Sequence, residues 1–424
     1  MRFLPARAAD LTRRDDMPLT RSVAAGPPAH DERRQWHVPR WVWLPLGIFL
    51  LARAFSAVVI AWAGQFQVET VSKVGNPFDV YFVWHPMPAD PGYLGVVTNW
   101  DGQWYRFIAE AGYLPASVDG SIAAGWAWAY PPGFPSTVAA AMRLTGTSFP
   151  VAATIVSIAA GAIAMVVMYR YVEQQAGPLN AVAAVAATSC FVSSPLLQAA
   201  YSESMALLLL VFSLMLLSRQ HTWWALLPTG LLAFTRLITP PLAVVAVVAM
   251  VVRVRRGAAS TARDWLACAA FSLASILGVL LWPTVAGALG GGTGADRVQT
   301  MTAGFHLGWF SAFYSMDPLT VTVPLALAGV LCWAAYAKRD EWGPTLTAWA
   351  VAYPLFLMVV TPPLAGVVRY MLLAFPLGML LSGRRSWPTS RRYALVVVGC
   401  GVLLVLQVVW IRQLLVYGET PLMP

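Results

Sequence analysis

Asp101 stands in the run Asn99-Trp100-Asp101-Gly102-Gln103-Trp104-Tyr105-Arg106. A carboxylate beside indole, phenol and amide groups can take a proton from an alcohol, while its neighbours stack on and hydrogen-bond a sugar ring. The position also suits a plain helix cap, since Asp accepts from the free N–H groups of a helix start. A second polar cluster, Tyr201-Ser202-Glu203-Ser204, falls between two apolar runs. A glutamate there is costly unless it is paired. Arg236 and Arg369 each follow an apolar half-run near prolines. A guanidinium binds phosphate through two parallel hydrogen bonds, so these are candidates for a lipid phosphate. Either could instead pair with Glu203.

Other residues carry weaker signals. Tyr130-Pro131-Pro132-Gly133-Phe134-Pro135 reads as a rigid turn feeding a helix. His85 and His306 stand alone in polar segments, with no second ligand at a metal-binding spacing. The four cysteines lie far apart in apolar runs and read as small core residues. There is no phosphate-binding glycine loop, no Gly-x-Ser-x-Gly elbow and no His-Glu-x-x-His pair. Neither a metal nor an organic cofactor is therefore expected. Gly290 to Gly294 reads as a flexible exterior loop able to act as a lid.

The elements that must hold these residues are set by composition. The 424-residue chain is 58% hydrophobic and 11% charged, against roughly 25% charged residues in a soluble globule. The expected fold class is an all-α integral membrane protein. The net charge of +9 comes from arginine tracts between apolar runs, the bias of cytoplasmic loops, and calls for no nucleic acid. Residues 1–40 read as a disordered basic cytoplasmic tail. Residues 41–424 read as a single transmembrane domain, with a first exterior loop and re-entrant segment over 65–148. At about 20 apolar residues per crossing, roughly 11 spans are expected, with Tyr370 to Ser382 among them as a descending one. The tracts at Arg219, Arg253–Arg256, Lys338–Arg339 and Arg384–Arg392 then all fall inside. Asp79, Asp90, Asp101, Glu203, Arg236, His306 and Arg369 fall at the outer surface. Trp126 to Leu144 reads as a partial helix, and Gln103 to Gly112 as a short amphipathic one.

Several of these motifs share a likeness. Trp100-Asp101 with Ile108-Ala109-Glu110-Ala111-Gly112-Tyr113 resembles the first lumenal loop of the PIG-V, or GPI mannosyltransferase 2, family and its bacterial relatives. Tyr130 to Pro135 resembles that family's next aromatic-Pro-Gly-Phe-Pro segment. Ala199-Ala200-Tyr201-Ser202-Glu203-Ser204 is similar to its Ser-Ala-Ala-Tyr-Ser-Glu-Ser motif. Thr235-Arg236 and Arg369-Tyr370 resemble its later arginine motifs, although Arg236 is followed by Leu-Ile-Thr rather than an Asn-Gly-like turn. The resemblance implies a GT-C helical bundle that moves a sugar, usually mannose, from a polyprenyl-phosphate donor to a lipid or glycan acceptor with inversion. It implies a bacterial plasma membrane, a cytoplasmic N-terminus and an extracytoplasmic site. Asp101 would be the base. Trp100, Gln103, Tyr105, Tyr130, Tyr201, Ser202, Glu203, Arg236, His306 and Arg369 would contact substrate. The competing expectation is a lipid or sugar transporter or flippase, which shares proline-broken spans but would show inverted internal symmetry. A non-catalytic assembly subunit would tolerate loss of both Asp101 and Glu203.

Overall fold

The computed structural model describes residues 38–69, 87–113, 127–302, 316–361 and 366–418, the side chains of 291–302 excepted. The basic tail through residue 37, His85, His306, Asp79 and Asp119 lie outside the described residues. From Pro39 onward the chain forms one compact unit. Helices α1 (Arg40–Gly64), α2 (Gly92–Val96), α3 (Asp101–Ala111), α4 (Gly133–Thr145), α5 (Phe149–Ala176) and α6 (Pro178–Cys190) come first. A 3-10 turn at Ser194–Leu197 leads to α7 (Glu203–Ser218), α8 (Thr222–Ala233), α9 (Pro240–Arg255) and α10 (Ala262–Thr302). Then follow α11 (Pro318–Ala337), α12 (Arg339–Trp342), α13 (Pro344–Val360) and α14 (Gly366–Tyr370). A 3-10 strip covers Met371–Leu373 and Phe375–Ser382, and α15 (Thr389–Trp410) ends in a π-turn at Ile411–Leu415. Among the described residues there is no β-strand element.

Five described helices, α1, α5, α10, α11 and α15, are long and apolar enough to cross a membrane. Helices α6, α7 and α13 are apolar but shorter. The outer faces of α1, α11 and α15 leave Leu51, Val58, Trp333, Val397 and Val405 exposed. Lipid, which has no polarity to lose, is the natural solvent for such a surface. The inner faces meet in a core of Met165, Met168, Leu207, Leu210, Trp349 and Tyr353.

Two expected elements differ. The run from Tyr370 to Ser382, read as a descending span, is instead a broken series of 3-10 turns. Pro376 removes a backbone donor at its start, and the strip packs along α6. The glycine-rich stretch from Gly290, read as a lid loop, continues α10 as helix through Thr302. Gly290 is there for close approach: a Cβ would lie 2.9 Å from the Trp128 ring. Helix α4, within the segment read as partial, has 13 residues and rises only about 20 Å, short of the roughly 30 Å hydrocarbon layer.

Hydrogen bonds sort the loops into two ends. Ser382 Oγ donates to Asn180 at the start of α6 (2.6 Å), and Ser193 Oγ donates to the Val368 carbonyl beyond the end of α6 (3.2 Å). The strip therefore runs antiparallel to α6, with Arg369 at one end and Arg384–Arg385 at the other. Arg219 bonds Gln174 (2.9 Å), Arg253 bonds Gln220 (3.2 Å) and Lys338 bonds the Gly383 carbonyl (3.2 Å). The basic tracts thus gather at the end away from Arg369.

One buried network braces the break after α6. Arg53, inside α1, donates to the Ser194 and Ser189 carbonyls and to Ser194 Oγ. Gln407 of α15 donates to Ser194 Oγ (2.6 Å) and the Phe191 carbonyl (3.1 Å), and accepts from Ser56 (3.0 Å). Broken helices in lipid leave orphan carbonyls that must be satisfied internally, and Arg53 and Gln407 do this. Neither residue is among the candidates read from the sequence. The signal was present, since a charge amid an apolar span is expensive unless it binds something.

Candidate active site

Asp101 opens α3, yet its side chain does not cap that helix. Its Oδ2 meets Arg369 Nη1 at 2.5 Å, and its Oδ1 accepts from the Tyr130 hydroxyl at 3.1 Å. The carboxylate points across the molecule rather than back to its own backbone, which removes the simple cap reading. Trp100 sets this direction. It adopts φ +54°, a left-handed conformation that is strained for a bulky residue. The conformation is held by three contacts. The Trp100 amide donates to the Tyr417 hydroxyl (2.8 Å), the indole N–H donates to the Leu415 carbonyl (3.2 Å), and the ring packs on Tyr417 at 4.7 Å. Trp100 is thus buried as a positioning group, with its indole spent on the C-terminal segment rather than presented as an open stacking face.

Glu203 starts α7 and is fully buried. Its Oε1 receives Arg369 Nε and lies 2.7 Å from Arg236 Nη1. Its Oε2 is buried with no hydrogen-bond partner. Both arginines therefore pair with Glu203, and Arg369 bridges to Asp101 as well. The Arg369 guanidinium also lies 4.7 Å from the Tyr201 ring, and that of Arg236 lies 5.1 Å from Tyr370. Ser202 Oγ accepts from Tyr105 (3.1 Å) and Arg236 (3.4 Å). Tyr201 donates to the Asn99 carbonyl (3.1 Å), tying the two sequence motifs together.

Local sequence explains the convergence. Trp104, Tyr105, Phe107 and Ile108 face inward on α3, while Arg106 and Glu110 pair on the outside at 2.9 Å. Gln103, at helical spacing from the outward pair Arg106 and Glu110, is buried with the inner set. The Tyr130–Pro135 turn brings its backbone against the end of α8: the Gly133 amide donates to the Phe234 carbonyl at 2.7 Å. A Cβ at Gly133 would fall 2.6 Å from Thr235 Oγ1, so only glycine fits beside the residues that carry Arg236. Burial, reinforced by the Asp101 charge and hydrogen bond, pushes the Tyr130 phenol well above its ordinary value. Burial, then Asp101 and Glu203, does the same for Tyr105. Both phenols stay protonated donors at neutral pH.

The structure thus brings Asp101, Tyr105, Tyr130, Tyr201, Ser202, Glu203, Arg236 and Arg369 together, with Trp100 behind them. Tyr370 and Asn99, not anticipated, belong to the same cluster. Among the described residues no three His, Cys, Asp or Glu side chains converge as a metal site.

No family model matches the chain, and no curated protein sequence does. Among solved structures, the fold is similar to that of the archaeal oligosaccharyltransferase AglB from Archaeoglobus fulgidus, in complex with an inhibitory peptide and a dolichol-phosphate. The identity is 14% and the TM-score 0.47, covering 89% of this chain and 56% of that one. A crystal structure of the Archaeoglobus fulgidus oligosaccharyltransferase tethered to an acceptor peptide gives 11%, 0.48, 89% and 56%. The chain spans little more than half the length of these structures. A likeness this distant assigns neither chemistry nor substrate.

Proposed function

We propose that the chain is a membrane glycosyltransferase of GT-C type that moves a sugar, with mannose the first candidate, from polyprenyl phosphate to a hydroxyl of a lipid or glycan acceptor. One observation carries the reading. Two carboxylates and two guanidinium groups, distant in sequence, meet in one ion-pair cluster: Asp101–Arg369–Glu203–Arg236. That set supplies what such a transfer needs, a proton acceptor beside cations for a leaving phosphate.

The carboxylates divide the work by exposure. The Asp101 side chain is 23% exposed and that of Glu203 is 0% exposed. Asp101 is the one an acceptor can reach, and Glu203 holds the two arginines. The acceptor oxygen attacks the anomeric carbon, its proton passes to Asp101, and the bond to the phosphate oxygen breaks with its electron pair going to phosphate. Arg236 and Arg369 stabilise that charge. Attack opposite to the leaving group inverts the anomeric centre. Phosphate is already a fair leaving group, so placement and cation stabilisation outweigh protonation.

The pairing of Arg369 with Asp101 adds a condition. Donor phosphate must share Arg369 with Asp101, so donor arrival loosens the base from its ion pair. Purified protein, polyprenyl-phosphate mannose and a lipid extract provide the test, with mass spectrometry of the product. A hexose-bearing lipid should form with wild type and not with Asp101→Asn. Full turnover by Asp101→Asn would remove Asp101 as the base. Absence of any product across donor sugars would remove the transferase reading.

A further inference from the structure

At the far end of α9 from Arg236, an open apolar groove ends in unpaired positive charge. The groove lies between α9 and α13 and has a volume of about 800 Å³. One wall is Val244, Val248 and Val252, and the other is Val351, Leu355 and Val359. Both sets repeat every four residues, so each forms a single ridge along its helix, and the groove is the valley between two ridges. Val244, Leu355 and Val359 are substantially exposed. The α9 ridge continues one turn further to Arg256. Arg255, Arg256 and Arg339 line that mouth, together with Tyr336 and one acid, Asp340. All three arginines are exposed. Among the described residues none has a carboxylate within ion-pair reach. Arg339 lies against the Tyr336 ring at 4.7 Å and donates to the Tyr336 carbonyl at 3.3 Å.

We propose that this groove is a binding site for an anionic phospholipid, with its phosphate between Arg255, Arg256 and Arg339 and one acyl chain between the two ridges. Three features favour this occupant. Apart from Thr347 the wall between the mouth and Pro240 is apolar, which suits a hydrocarbon chain and gives a sugar or peptide little to bond. The charge sits at one mouth only, so the ligand must be an anion at one end and oil at the other. From Arg255 back to Pro241 the helix rises about 21 Å, more than the roughly 15 Å of one leaflet, so a chain anchored at the mouth has groove wall beside it along its length. Arginine is also the better phosphate ligand, because its planar fork offers paired donors. The proposal does not rest on the transferase reading, since the charged mouth lies at the opposite end of α9 from Arg236 and the groove shares no residue with the Asp101 cluster.

The test is lipid retention by the full-length protein in nanodiscs containing equal phosphatidylglycerol and phosphatidylcholine with matched acyl chains. Native mass spectrometry after delipidation reads what stays bound. Three guanidinium groups set against one carboxylate should enrich phosphatidylglycerol about tenfold over phosphatidylcholine. The triple variant R255A/R256A/R339A should retain both lipids equally. Val248→Trp, which keeps every charge and fills the valley, should also lose the retained phospholipid. The double variant R384A/R385A, which removes exposed charge elsewhere at the same end, should retain it as wild type does. Equal loss in that double variant would overturn the proposal, because general surface charge would then suffice. Unchanged retention in Val248→Trp would overturn it as well. So would displacement of the phospholipid by equimolar undecaprenyl phosphate, which would make the groove a donor site.

Discussion

Asp101 and Glu203 both bind Arg369 but differ in what can reach them, and that difference separates their expected mutant behaviour. Asp101→Asn leaves Arg369 paired with Glu203. It should cost under about 1 kcal/mol of stability, because a partly exposed ion pair is worth little. Transfer should fall by roughly 100-fold or more, the usual share of a general base. Donor affinity should hold or rise, because Arg369 no longer shares its charge with residue 101. Glu203→Gln leaves two buried guanidinium groups side by side without their shared anion, and should cost about 3 kcal/mol or more. Thermal unfolding in detergent, run beside donor-binding isotherms, separates the two. If Glu203→Gln is no less stable than Asp101→Asn, Glu203 is not the anchor. Tyr130→Phe removes only the hydroxyl that donates to Asp101. One lost hydrogen bond to a charged group, about 1.5 kcal/mol, predicts a drop in kcat of roughly tenfold with little change in donor KM. A drop confined to KM would place Tyr130 in donor binding instead.

At the scale of elements, the site depends on turns that bring distant segments into register. The turn at Gly133 presses on the Phe234 carbonyl, two residues before Arg236. Gly133→Ala must push the two strips apart, since backbone sits 2.7 Å from the new Cβ. The expected result is a lower melting temperature and a donor KM raised several-fold, with Arg236 displaced; an unchanged donor KM would show that the turn does not position it. This turn shows where the sequence was legible. Pro131, Pro132 and Gly133 announced a rigid entry to a helix, and the structure has one at α4. The residues of the cluster were also legible, because acids and arginines beside apolar runs are too expensive to be idle. Their pairing was not, since nothing in the letters says that Arg369 spans both carboxylates. The breaks were the least legible. Composition reads Tyr370–Ser382 as an ordinary span, whereas Pro376 and packing on α6 turn it into 3-10 strips. Gly290 misled for the opposite reason: its small size makes room for Trp128 within a helix.

For the whole molecule, the decisive quantity is which face of the membrane the Asp101 cluster occupies. Arginine tracts and cluster lie at opposite ends of α6, whose 13 residues separate them by about 20 Å. On the positive-inside bias the arginine end is expected in the cytoplasm, which would turn the site outward. A transferase fed by a polyprenyl-linked sugar outside the cell needs that orientation, whereas one facing the cytosol would meet nucleotide sugars. Single cysteines can report it. Ala111 at the end of α3 and Arg385 beyond the strip are both exposed. The native thiols give little background, because Cys190, Cys268 and Cys332 are buried and Cys400 is partly so. A membrane-impermeant maleimide on intact cells should label Ala111→Cys, and should reach Arg385→Cys only after permeabilisation. The reverse pattern would place Asp101 in the cytosol, where the proposed donor side fails even though the ion-pair cluster stands.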